Sequence, residues 1–88
     1  MAFDLTLSSD AERDLNRLDR QDAQRILRKM RWFAAQPNPL QYAVRLSKPA
    51  IGDFRFRIGD LRALTVVDMR RHRILVLAIG YRGEVYRR

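Results

Sequence analysis

The chain has 88 residues, a formal net charge of +8 and no cysteine, which leaves room for one domain with one modest core and excludes a disulfide framework or a thiolate metal site. A single histidine and no clustered carboxylates leave no residues at metal-ligand spacing, so neither metal nor cofactor is expected. MAFDLTLSSD has no basic stretch ahead of an apolar run, and nothing approaches the roughly 20 apolar residues of a membrane span, so a soluble, cytoplasmic protein is expected, with no membrane partner.

Phe3, Leu5 and Leu7 alternate with Asp4 and Thr6, the period of a half-buried strand. Ser9-Asp10-Ala11-Glu12 reads as a capping box with Ser9 as N-cap. It opens a helix from about 10 to 18, in which Ala11, Leu15 and Leu18 share a face. Asp19 is placed to cap a second helix, about 20 to 36, whose Ala23, Ile26, Leu27, Met30, Phe33 and Ala34 form an apolar stripe. Its basic residues, Arg25, Arg28, Lys29 and Arg31, lie outside that stripe as a solvated face, and Trp32, off its centre, is expected against the sheet edge. Pro37-Asn38-Pro39 ends the helix.

Four strands follow: Tyr42, Val44 and Leu46; Asp53 to Ile58; Arg62 to Asp68; and Arg73 to Ile79, with a short extension from Glu84 to Tyr86. Gly59-Asp60 makes a tight turn, and Asp68 to His72 a longer one with His72 in solvent. Ile74 to Ile79 is apolar at nearly every position, which suits an inner strand. The order strand, helix, helix, four strands predicts an α+β fold over residues 1–88: an N-terminal strand and an αα-hairpin packed on a twisted, mainly antiparallel sheet of four to five strands.

Charge is unevenly placed. Residues 1–44 carry 7 basic and 6 acidic side chains and residues 45–88 carry 11 and 4, so nearly all the excess is C-terminal. All the basic residues but Lys29 and Lys48 are arginine, whose planar fork matches phosphate bidentately. A GC-rich coding bias accounts for part of that ratio but not for the placement. Alternation in the last strands puts a core on one face and Arg55, Arg57, Arg62, Arg73 and Arg82 on the other, in a small area with Tyr81 and Tyr86. Such a surface is suited to a phosphodiester backbone and stacked bases.

The stretch Gly-Asp-Phe-Arg-Phe-Arg-Ile-Gly-Asp-Leu-Arg at 52–62 and the closing Gly-Tyr-Arg-Gly-Glu-Val-Tyr-Arg at 80–87, following a strand and a helical hairpin, resemble the RelE/ParE superfamily of toxins from type II toxin–antitoxin systems. The ending is more similar to the RelE branch, ribosome-dependent mRNA endonucleases, than to the ParE branch of gyrase inhibitors. The resemblance implies metal-independent cleavage of mRNA on the ribosome by attack of a ribose 2′-hydroxyl on the adjacent phosphate, with inhibition of translation. It implies a cognate antitoxin as partner, and a toxin–antitoxin complex that binds operator DNA through the antitoxin.

By the same resemblance Arg62 matches the Arg that holds the scissile phosphate, Arg82 the Arg of the C-terminal motif, and Tyr86 its Tyr. Arg55 and Arg57 fall where relatives track the RNA backbone, and Arg73, Lys48 and Arg87 are further candidates for RNA contact. The chain departs from the pattern in carrying Tyr81 where many relatives have His, and Arg57 where some have Lys. That leaves the base open among Tyr86, Tyr81, Lys48 and Glu84. A guanidinium beside a phenol favours the phenolate, so either tyrosine next to Arg82 is expected to be able to move a proton. A non-catalytic gyrase inhibitor or inactive nucleic-acid-binding relative on the same scaffold is the alternative.

Overall fold

The structure, a computed structural model, describes residues 2–47 and 51–87. Strand β1 (Asp4–Leu7) alternates exposed and half-buried side chains and leads through Ser8 into helix α1 (Ser9–Arg17). The N-cap is Ser8, not Ser9: its extended backbone lets its hydroxyl accept from the Ala11 amide at 3.1 Å. The same hydroxyl donates to the Leu77 carbonyl, 69 positions away, at 3.2 Å. That tertiary contact selects Ser8, and local spacing does not reveal it. Asp19 caps helix α2 (Arg20–Ala34), accepting from the Asp22 amide at 2.9 Å; α2 ends two residues before its expected limit.

A 3-10 turn (Pro39–Tyr42) takes Tyr42 out of the strand expected there and leads into β2 (Ala43–Arg45). β3 (Phe54–Ile58), β4 (Leu61–Asp68) and β5 (Arg73–Tyr81) complete a five-stranded sheet of order β1-β5-β4-β3-β2. β1 runs parallel to β5, and the other pairs are antiparallel. The helical hairpin carries the chain from β1 at one edge of the sheet to β2 at the other, and the following strands return antiparallel until β5 lies beside β1. β5 therefore lies between β1 and β4, the inner position its apolar run requires.

The core packs α1 and α2 on one face of the sheet. Ile26, Met30 and Phe33 of α2 meet Phe56, Ile58, Leu61, Ala63, Ile74, Val76 and Ile79. Phe56 is wholly inaccessible and its burial contributes about 1.5–3 kcal/mol. Leu64 opposes Ala78 while Thr65 opposes Val76, so Leu77 is an extra residue in β5. Such a bulge inverts the alternation. It explains how Ile74 and Val76 before it, and Ile79 after it, all reach the helix-side core.

β1 pairs with β5 only as far as Leu7 opposite Val76. Beyond that point Asp14 of α1, 4% exposed, accepts from the Ile79 amide at 2.9 Å. Gly59, at φ 59°, makes the turn between β3 and β4. In the turn between β4 and β5 the Asp68 carboxylate accepts from the amides of Arg70 and Arg71 at 3.1 and 3.0 Å. His72 closes that turn in the left-handed region, φ 53°. It is half-buried, its ring 4.9 Å from that of Phe3, and so is less exposed than its place in the chain suggested. Trp32 packs edge-on against Phe33 and Tyr42, with Lys29 Nζ 4.4 Å over its ring.

Candidate nucleic-acid interface

Phe56 and Ile58 of β3, and Leu61 and Ala63 of β4, point into the helix-side core. By alternation Arg55, Arg57, Arg62 and Leu64 emerge on the opposite face. Register sets them in rows. Arg57 pairs with Arg62 and Arg62 with Gly80; in the next row Arg55 pairs with Leu64 and Leu64 with Ala78.

The chain end folds over this face. Residues expected to extend the sheet instead form a 3-10 turn (Val85–Arg87), because Val85 is 2% exposed in a small second core with Leu64 and Ala78, flanked by Leu46 and Ile51. Gly80 makes the room: a Cβ built there would lie 3.3 Å from the Val85 Cβ, closer than most such contacts. Docking Val85 brings the Tyr86 hydroxyl to Arg55, whose Nη1 donates to it at 3.1 Å. Arg55 is half-buried, and its Nε is buried with no acceptor among the described residues. Tyr86 is 39% exposed, so this pair lies at the rim of the face.

Arg62 differs from expectation. Instead of an exposed strand charge it is 6% exposed, and its Nη1 donates to the carbonyls of Gly59 and Leu61 at 2.8 and 2.9 Å. It therefore braces the β3–β4 turn from within. Arg57 and Arg82 are exposed, and the Arg82 amide donates to the Asp60 carbonyl at 2.8 Å, so the chain end is laced to the same turn.

Tyr81 is not part of this surface. It packs with the helix-side core, and its hydroxyl donates to the Asp22 carboxylate. That hydrogen bond, with partial burial and the charges of Asp22, Asp19 and Asp60, pushes its pKa up to about 12. The shift runs opposite to the one expected from the adjacent Arg82: the phenol stays protonated at physiological pH and is no base there. Asp22 also pairs with Arg25 at 3.3 Å, and Arg25 with Asp60 at 3.0 Å. Tyr81, α2 and the β3–β4 turn thus form one polar chain.

Arg73 sits opposite Asp68 at the far end of β5. It is seven residues from Gly80, about 20 Å at the usual rise, and outside the group that Arg55, Arg57 and Arg62 form. Glu84 is exposed in the turn before Val85. Lys48 lies outside the described residues, as does the side chain of Arg87. Among the described residues no three His, Cys, Asp or Glu are grouped so as to hold a metal ion, and no helix is long and apolar enough to cross a membrane. The residue pattern did not single out Asp14 or Asp22, and it read Arg25 as part of a solvated face and Asp60 as a turn residue, whereas the structure pairs them. Asp14 had a signal: it is three residues after Ala11, a carboxylate on the buried stripe of α1.

No protein-family model and no curated protein matches the sequence. Solved structures do resemble the fold. A chain in the crystal structure of the RelBE2 toxin–antitoxin complex from Mycobacterium tuberculosis matches with TM-score 0.79 and 20% identity, over 93% of this chain and 100% of that one. A chain in the archaeal RelE–RelB complex from Pyrococcus horikoshii matches with TM-score 0.74 and 22% identity, over 96% of this chain and 99% of that one. The architecture is the RelE-like fold, an N-terminal strand and two helices on a five-stranded mixed sheet.

Proposed function

We propose that this chain is the toxin of a toxin–antitoxin pair and that it cleaves mRNA on the ribosome, halting translation. The observation that carries this reading is the Arg55–Tyr86 hydrogen bond at the rim of an arginine-lined sheet face, on a fold also seen in toxin–antitoxin complexes. In the reaction, the 2′-hydroxyl oxygen bonds to the adjacent phosphorus and the bond to the 5′-oxygen breaks. The products are a 2′,3′-cyclic phosphate and a 5′-hydroxyl end. One proton leaves the attacking oxygen and one reaches the departing oxygen.

A hydroxyl that accepts from a guanidinium keeps its own proton for another partner. Tyr86 is therefore suited to protonate the leaving 5′-oxygen, with Arg55 fixing its orientation. Arg57 and Arg82, exposed and without ion-pair partners among the described residues, balance the charge that builds on the phosphorane. Arg62 acts through the turn that it braces, as a positioning residue. The partner is an antitoxin whose acidic segment covers the arginine face, and operator DNA is bound through that antitoxin.

One observation favours the rival reading, a non-catalytic inhibitor of DNA gyrase: the Tyr81 hydroxyl is bound to Asp22 on the helix side of the sheet, which removes one candidate base from the arginine face. Pulse labelling after induction separates the two. Collapse of amino-acid incorporation before thymidine incorporation is expected, and the reverse order would replace nuclease by gyrase inhibitor.

A further inference from the structure

About 20 Å from the Gly80 end of β5, the turn between β4 and β5 presents a second cationic group. Arg70, Arg71 and Arg73 are all exposed, and no guanidinium among them has a hydrogen bond or ion pair with the described residues. The turn is preorganised. Asp68 accepts from the amides of Arg70 and Arg71, the His72 carbonyl accepts from the Asp4 amide at 2.8 Å, and the His72 ring rests on Phe3. Asp68, Arg70 and Arg71 line an open depression of about 550 Å³.

We infer that this turn is a second binding site for the phosphate backbone of a folded RNA. The rigid turn fixes where the three arginine stems begin, and each fork can take a phosphate bidentately. Three guanidiniums without partners among the described residues outnumber the exposed apolar side chains beside them, Met69 and Leu75, which favours a phosphate chain over an acidic protein segment that would bind mainly through apolar anchors. Between the two arginine groups the same sheet face carries Val66 and Leu75, paired across the strands, which give a phosphate chain nothing to bind. The groups therefore engage two separate phosphate runs, as a helical RNA presents, and not neighbouring nucleotides of one extended strand. The site does not depend on cleavage.

The test is equilibrium binding of a labelled stem–loop RNA, a single-stranded tetranucleotide and oligoglutamate across a salt series, with wild type and the Arg70→Ala/Arg71→Ala/Arg73→Ala variant. The replaced side chains support no packing, so circular dichroism should be unchanged. Each phosphate contact adds nearly one to the salt slope, so the variant's slope for the stem–loop should be shallower by about 2 to 3, with tetranucleotide binding unaltered. Equal slopes, or a wild type that does not bind the stem–loop, would overturn the inference. Loss of oligoglutamate binding with stem–loop binding intact would assign the turn to a protein partner instead.

Discussion

Tyr81 and Asp22 are joined hydroxyl to carboxylate across the boundary between sheet and helices, so the two C-terminal tyrosines serve opposite faces of one sheet. Tyr86 faces the arginines and Tyr81 ties β5 to the first turn of α2. Tyr81→Phe should therefore leave RNA cleavage within a few-fold of wild type while lowering the thermal midpoint. The pH dependence has a definite sign. A phenol whose pKa rises from 10 to about 12 on folding stabilises the native state below pH 10, and that contribution is lost as pH climbs to about 12. Urea melts of wild type and variant should converge across that window, and a constant gap would show that the hydroxyl is not bound as described.

Arg62 and Arg82 should separate under the same substitution. Arg62→Ala removes a buried guanidinium together with its hydrogen bonds to the Gly59 and Leu61 carbonyls, a loss of about 2 kcal/mol in denaturant melts. Arg82→Ala should melt like wild type, since the side chain is exposed and its backbone bond to Asp60 survives. It should still lower cleavage by about 100-fold if the charge is spent on the transition state. A stable Arg62→Ala protein would contradict the bracing role.

The fate of Tyr81 shows what the residue pattern could carry. Strand alternation was legible for β1, β3 and β4, and a helical hairpin between two strands was enough for the α+β class. Counting alternate residues from Ile74 and Val76 would put Tyr81 on the face away from the helices. The bulge at Leu77 inverts that count. Its setting is tertiary: Ser8 bonds the Leu77 carbonyl and Asp14 the Ile79 amide, contacts that span more than sixty positions and leave no local periodicity. The C-terminal 3-10 turn was hidden for a similar reason, since Val85 docks only where Gly80 leaves a gap.

Gly80→Ala tests that gap. The added methyl crowds Val85 and should shift the chain end, lengthening the distance from Tyr86 to Arg55. Amide chemical shifts of Val85 and Tyr86 should move while those of Ile26 and Phe56 stay. The cleavage rate should fall by about 10-fold, a modest misplacement penalty. Unmoved shifts at Val85 would mean that the turn is not held by this contact.

The most direct measurement is primer extension on message from a purified translation reaction, with wild type and Tyr86→Phe compared under single-turnover conditions. Discrete cuts within the ribosome-bound message are expected with wild type. The Phe variant, which keeps the ring and loses the hydroxyl that Arg55 orients, should cut about 100-fold more slowly. Intact message with wild-type protein, together with inhibition in a gyrase supercoiling assay, would contradict the nuclease account.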